Sequence, residues 1–399
     1  MQLSHLSIAL CSVDVCTSAT SAAILEKRTG PSFADGQPAD GKAKGGPFSG
    51  GTNHQLDLQN PDNLGAQSTD SGLVPNLKWS FSDSKTKIFN GGWTREQVVT
   101  DLLASHDIAA AQQHLKKGAV RELHWHRVAE WGYVYAGEVL VSAVDESGNY
   151  QVDKLRVGDI WYFPKGSAHT VQGLADEKNI FSSSMMWIAH TPKSVLAKNF
   201  GVTSSVFDTI PTPDPYILNG TVSTSQPTGA DAGLFGNSWY VIHKADYGTV
   251  PVPGEGGTLS IIDSKNFPIA TTIAATVVTL EPKGLRELHW HPNAEEWLYF
   301  HTGTARATIF IGGANARTFD FSSGDTAVFP DNSGHYIENT SENETLVWIE
   351  IYKSDRVADI SLTQWLALTP PDIVANTLKI SRSAVDQLKN EKQLLIKGS

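Results

Sequence analysis

The chain is almost free of cysteine. It has two, Cys11 and Cys16, in 399 residues. Both lie at the extreme N-terminus, so no disulfide framework is available to the rest of the fold. No stretch approaches the roughly 20 apolar residues that a membrane helix needs. Cations are also in deficit, with 31 Lys and Arg against 42 Asp and Glu, a formal charge of −11 and a pI near 5.6. That balance argues against nucleic acid and anionic membrane as partners. It also means that an anionic ligand must be gripped by a local cation, since the overall field repels it. The length accommodates two domains of ordinary size.

Met1 to Ala23 is expected to be a secretory signal. A short apolar stretch covers Leu6 to Cys11, and Ser21, Ala22 and Ala23 are small residues near a cleavage point, although Asp14 intervenes and no Lys or Arg precedes it. Lys27-Arg28 resembles a dibasic pro-segment site, so residues 1–28 are expected to be removed and the protein to be extracellular. Asn-x-Ser/Thr sequons stand at Asn219, Asn339 and Asn343, with Asn219, among Pro, Gly and Ser, the best placed for a glycan.

What is present is a repeat. Arg121-Glu-Leu-His-Trp-His126 recurs as Arg286-Glu-Leu-His-Trp-His291. Residues two apart on a strand share a face, so His124 and His126 project together, as do His289 and His291. Glu130 and His169 follow the first pair, and Glu296 and His335 follow the second. The copies are offset by 165 residues at the first histidine and 166 at the last. Three imidazoles and a carboxylate form a metal-ligand set suited to Zn, Cu, Fe, Ni or Mn. The competing explanation is barrel-interior histidines satisfied by hydrogen bonds, which two matched four-residue sets argue against. Arg121 and Arg286 stand three positions before the first histidine of each pair. On a regular strand they face away from the metal, as surface or inter-strand ion pairs. A bend would turn them inward, where a guanidinium can grip a carboxylate with two parallel hydrogen bonds.

Short apolar runs bounded by Gly, Asp and Pro predict an all-β sandwich or barrel in each repeat. Examples are Val139–Val144 before a turn at Asp145–Gly148, and Ile160–Phe163 between Gly-Asp and Pro. We read residues 29–95 as an N-terminal arm, 96–202 as the first domain, 203–257 as a linker with a strand near Trp239–His243, and 258–399 as the second domain. Helical patterning covers Lys193–Phe200, Ser361–Leu368, Asp372–Lys379 and Ser383–Leu395.

The run Gly118-x5-His124-x-His126-x3-Glu130-x6-Gly137, then Gly158-x5-Pro164-x-Gly166-x2-His169, resembles the two cupin motifs, and the second copy follows with small spacing changes. From Leu56 to Pro370 the chain resembles the bicupin oxalate decarboxylases, particularly at Gly158–Pro164 and Gly334–Asn339. The resemblance implies two tandem cupin barrels (double-stranded β-helix, jelly-roll) with short helices ending each repeat. It implies Mn in both barrels, a requirement for dioxygen, and cleavage of oxalate to formate and carbon dioxide. Arg121 and Arg286 would orient the substrate, and Glu350 matches the second-barrel glutamate proposed to move the proton. No nucleic-acid or membrane partner is expected, and a homo-oligomer is left open.

The first repeat is shorter than its partner. Eighteen residues separate His169 from Trp187, against 30 between His335 and Trp365, so 12 are missing where the family carries a lid with the catalytic acid and where a barrel strand belongs. Asp176 and Glu177 follow His169 too closely to take the lid role. Either the first site is impaired or the missing stretch is an error in reading the gene. The second barrel is expected to be the more regular and Thr170–Met186 to be poorly packed. Lacking the lid acid favours an oxalate oxidase-like alternative that releases peroxide. A non-enzymatic storage-type bicupin is the alternative from another class.

Overall fold

The computed structural model describes residues 6–11, 56, 59–63, 68–175, 191–210, 216–223 and 239–399. It divides into two compact units. Unit 1 takes Leu6–Cys11, Ser84–Val98 and Asp107–Asp246; unit 2 takes the described residues from Leu56 to Asp83, Val99–His106 and Tyr247–Ser399. Among the described residues no helix is long and apolar enough to cross a membrane.

Unit 2 is built from two sheets. One runs β14 (Gly257–Ile262), β15 (Ala274–Leu280), β22 (Leu346–Tyr352), β17 (Glu296–Thr302), β20 (Asp325–Phe329), β2 (Lys78–Ser80). The other runs β19 (Ala316–Ser322), β18 (Thr304–Phe310), β21 (Gly334–Asn339), β16 (Leu285–Trp290), β23 (Ile360–Ser361), and β24 (Leu395–Ile396) also pairs with β16. All these pairings are antiparallel. Alternating residues of both sheets fill one core. Leu298, Phe300, Ala327 and Trp348 come from the first, and Ala305, Ile309, Phe321 and Ile337 from the second. Phe300 stacks on Phe321 across them at 4.4 Å.

Unit 1 repeats most of the plan, with one strand replaced and one further strand added at an edge of its first sheet. Its sheets run β13 (Val241–Ile242), β10 (Ile160–Phe163), β7 (Glu130–Val134), β1 (Leu6–Cys11), β5 (Ile108–Leu115), β4 (Gly92–Gln97), β3 (Thr86–Phe89), and β12 (Ile217–Leu218), β6 (Val120–His124), β11 (Ala168–Gly173), β8 (Glu138–Val144), β9 (Tyr150–Arg156). In unit 2 the strand between β15 and β17 is the antiparallel β22. In unit 1 the corresponding place, between β5 and β7, is taken by β1, parallel to both. The segment expected to be a signal thus stands where the shortened repeat lacks a strand. Of the Thr170–Met186 region, Thr170 to Gly173 lie in β11 with Val171 and Gln172 buried; residues 176–186 are outside the described set, Asp176 and Glu177 among them.

Other expectations differ in detail. Residues 84–98 are strands of unit 1, not an arm. The expected linker contributes two strands to unit 1: β13 lies within the strand expected near Trp239–His243, while β12 is not foreseen from the sequence, because a two-residue strand is too short to show alternation. Helices form at Lys193–Phe200, Leu362–Leu368 and Pro371–Leu378. Ser361 caps the second of these by accepting from Gln364 N at 3.2 Å. The helix expected over Ser383–Leu395 stops at Val385. Leu394 takes a positive φ, incompatible with helix, and Leu395–Ile396 becomes a strand.

The Gly-Asp aspartates fasten the added edge strands. Asp325 pairs with buried Lys78 of β2 at 2.9 Å. Asp159 pairs with His243, just after β13, at 3.0 Å, and Asp153 lies 3.5 Å from the other ring nitrogen. Hydrogen bonds from His243 to Asp153 and Asp159 raise its pKa from 6.5 to about 10. A raised histidine stabilises fully below its unfolded pKa and loses that contribution as pH climbs through the folded value. Unit 1 should therefore become easier to unfold between about pH 6.5 and 10. Urea titrations of the His243→Gln variant should show a flatter pH dependence there; an unchanged slope would mean that the pair carries no stability.

Candidate metal centres

Each ligand set assembles from the ends of three strands and one residue just outside them. His124 ends β6 and Glu130 opens β7, with His126 in the turn between them, and β11 brings His169 opposite His124. In unit 2, β16 carries His289, with His291 just beyond its end; Glu296 opens β17, and β21 places His335 opposite His289. In each set, one ligand atom per residue lies within 4.8 Å of all the others. The eight residues singled out in the sequence are thus brought together as two sets of four.

The surroundings suit a cation. Nδ1 of His124, His169, His289 and His335 points to the backbone carbonyls of Glu122, Ser167, Glu287 and Ser333 at 2.7–3.0 Å. That contact fixes each ring with Nε2 inward. Nε2 of His169, His289 and His335, and both oxygens of Glu296, are buried without a hydrogen bond of proper geometry. Groups so placed are costly unless something binds them. Burial, and then the charge of Arg121 or Arg286, holds His124 and His289 well below 6.5, in the neutral form a metal requires. Burial opposes the charge of Glu130, but His169 and His126 outweigh it and keep the carboxylate ionised.

Arg121 and Arg286 are buried. In both copies the pairing steps three residues along the arginine strand for two along its partner: Arg121 pairs Val171 and His124 pairs His169; Arg286 pairs Ile337 and His289 pairs His335. This β-bulge supplies the bend that turns arginine to the histidine side. Nε and Nη1 of both guanidinium groups are buried without hydrogen-bond partners.

The two sites differ in what surrounds them. In unit 2, β22 carries Glu350 at the centre of a buried network. Trp348 Nε1 donates to Oε1 at 2.9 Å, the Tyr352 hydroxyl donates to Oε2 at 2.7 Å, and Thr276 Oγ1 donates to the same oxygen. The Tyr352 oxygen lies 3.4 Å from His291 Nε2, and Arg286 Nε lies 3.8 Å from Glu350 Oε1. In unit 1 the register places Ala9 opposite Gly132, where Glu350 stands opposite Leu298. Leu6–Cys11 contains no acid. The His126 side chain is 23% exposed against 2% for His291, whose Nδ1 is covered by the Ala358 carbonyl at 2.8 Å.

Comparison with known proteins agrees with this geometry. A family model described as Cupin matches residues 81–208 and again 251–386. A probable oxalate decarboxylase of Arthroderma benhamiae is 58% identical over 376 residues, covering 90% of this chain and 93% of its own. An oxalate decarboxylase of the same fungus is 55% identical over 398 residues, 90% of this chain and 94% of its own. A solved structure of the Bacillus subtilis oxalate decarboxylase, studied for its Mn(II) centres, superposes with a TM-score of 0.82 at 39% identity, covering 91% of this chain and 99% of that one. The chain belongs to the bicupin oxalate decarboxylase family.

For a bicupin of this family the sequence reading missed Thr276, Trp348 and Tyr352 around Glu350. The last two had a signal, since residues i ± 2 on a strand share the face of residue i. Asp359, which accepts a hydrogen bond from Arg286 Nη2 at 3.0 Å, had none.

Proposed function

We propose that this chain is a secreted, manganese-dependent oxalate decarboxylase that uses dioxygen and produces formate and carbon dioxide. The observation carrying the reading is the second site, where a complete ligand set, an arginine with buried unspent donors and a hydrogen-bonded glutamate converge. The Mn(II) centres of the Bacillus relative support manganese as the ion. Bound there, manganese would supply Lewis acidity and, with dioxygen, one-electron chemistry.

The residues themselves account for the rest. Arg286 grips a carboxylate of the oxalate monoanion and holds it against Glu350. Glu350 takes the carboxyl proton, the carbon–carbon bond breaks with loss of carbon dioxide, and the proton returns to the remaining carbon as formate leaves. No proton is gained or lost overall. Thr276 and Tyr352 are hydroxyls, which can donate to an ionised Glu350 and rotate to accept from a protonated one. Burial excludes water, which would otherwise compete for the proton. Purified protein loaded with Mn and given oxalate should release formate and carbon dioxide in equal amounts with little peroxide. Peroxide in place of formate would instead favour the oxidase-like alternative, and no turnover at all the storage-type one.

Export can be read through the sequons. Asn219 and Asn343 are exposed. Asn339 is buried, and its Nδ2 donates to the carbonyls of Leu280, Glu281 and Glu344. Glycopeptide mass spectrometry of protein from a secreting host should find sugar at Asn219 and none at Asn339. An Asn339 glycan would contradict the fold, and its absence from all three would remove this support for secretion. Asn339→Ala orphans those carbonyls, at on the order of 1–3 kcal/mol for a buried unsatisfied group, and should lower the unfolding midpoint of unit 2.

A further inference from the structure

The C-terminal tail reaches the second site. β24 pairs with β16 so that Leu395 lies opposite Arg286. One oxygen of buried Glu287 accepts from Leu394 N at 3.0 Å and the other from Ser361 Oγ at 2.9 Å. This staple fixes the tail against the start of the Leu362–Leu368 helix. Two residues before the stapled points stand Asp359 and Lys392. Lys392 Nζ donates both to the Asp359 carboxylate and to its backbone carbonyl. The other Asp359 oxygen accepts from Arg286 Nη2 at 3.0 Å. The residue before Asp359 is Ala358, whose carbonyl orients the ligand His291. A two-residue segment thus sets both a metal-facing imidazole and the guanidinium.

Unit 1 holds its arginine differently. Ile217 lies opposite Arg121, but no carboxylate accepts a hydrogen bond from Arg121 among the described residues. The Tyr216 ring covers its guanidinium at 4.1 Å, and the Tyr216 hydroxyl donates to Glu96, which Lys87 holds at 2.9 Å. Stacking fixes the plane of a guanidinium and leaves its charge unspent. In unit 2 a second carboxylate, Glu350, stands 3.8 Å from Arg286 Nε, just beyond hydrogen-bond range. Without a competing anchor, the two opposite charges in a buried site would close on each other. That would consume both the group that grips the substrate and the group that carries the proton.

We propose that Asp359, held by Lys392 of the C-terminal tail, is a positioning residue of the second site: it anchors Arg286 through Nη2, so that the guanidinium does not close on Glu350 and the two stay apart to receive a small dicarboxylate between them. This rests on the oxalate reading of that site. It predicts a binding defect more than a chemical one, because the anchor touches neither substrate nor metal.

The test uses the full-length, Mn-loaded chain carrying R121A, so that only the second site's arginine is read. Oxalate affinity is measured by calorimetry, and KM and kcat from formate release, for Asp359→Asn, Asp359→Glu and Lys392→Met. Asp359→Asn should weaken oxalate binding and raise KM by roughly 10-fold, the equivalent of about 1.4 kcal/mol, with kcat changing much less and Mn content unaltered. Asp359→Glu should recover part of the loss, and Lys392→Met should show a smaller defect of the same kind. Unchanged affinity in Asp359→Asn, or a fall in kcat at constant KM, overturns the proposal. If Asp359→Asn loses its Mn, the Lys392→Met affinity decides in the same way. A parent that binds oxalate without making formate defeats the decarboxylase reading alone, and the affinities still judge the anchor. A parent that binds no oxalate defeats both.

Discussion

Replacing Glu350 with Gln should cut formate production by about 10²–10⁴-fold, the usual worth of a positioned acid–base group. The substitution preserves shape. The amide oxygen can still accept from Trp348, and the hydroxyls of Thr276 and Tyr352 can turn to accept from the amide nitrogen. What is lost is the capacity to take and return a proton. Arg286→Lys should also be severe, since Lys keeps the charge but not the planar fork, and the anchor on Asp359 is placed for Nη2. Arg121→Lys should do far less, because unit 1 has no glutamate at the position of Glu350 among the described residues. Steady-state formate release from the three variants decides the matter. A larger loss in Arg121→Lys than in the other two would make unit 1 the working site and would require an acid outside the described residues, such as Asp176 or Glu177.

Removing the metal should be the largest single perturbation of stability. Each set brings imidazoles and a buried carboxylate together, and His169 Nε2 in one and His289 Nε2, His335 Nε2 and both Glu296 oxygens in the other have no hydrogen-bond partner. An ion that binds only the folded chain stabilises it by about 2.7 kcal/mol at 100 times its Kd, which for a unit of this size corresponds to about 5–10 °C in Tm. Gentle purification should yield close to two transition-metal ions per chain, and His289→Ala should remove one. Calorimetric scans before and after chelation should show the drop, with recovery on adding Mn. Well under one ion per chain, or a Tm indifferent to chelation, would be incompatible with the catalytic reading; a value near one would indicate that the first site has lost its ion.

Much of this arrangement could be read along the chain. The ligand sets were legible because strand alternation turns a spacing of two into a shared face, and the repeat showed the pattern twice. The paired glycines, Gly-Asp steps and short apolar runs predicted the β architecture of both units. The shortened first repeat was visible against its own partner. The tail was misread: Ser383–Leu395 has helical patterning, yet from Asp386 onward its conformation is set by contacts to Glu287 and Asp359, distant in sequence. The direction in which the arginines face is ambiguous in the sequence because a bulge is a mismatch between two strands, and one strand alone does not reveal it.

The sequence by itself therefore determined which residues form the two ligand sets, the strand-rich class of the fold and the shortening of the first repeat by 12 residues relative to the second. Covalent spacing and side-chain period act locally, and nothing distant needed to be known. Only the tertiary structure decided the face on which Arg121 and Arg286 lie, the hydrogen-bond network that holds Glu350 and the anchoring of Arg286 by Asp359 and Lys392. It also decided that Leu6–Cys11 stands between β5 and β7. Thr276 and Glu350 are 74 residues apart, and Glu287 and Leu394 are 107 apart. Such pairs leave no periodic trace in the sequence; they exist because sheet pairing brings buried polar groups together, where each must find a partner or be left at a cost.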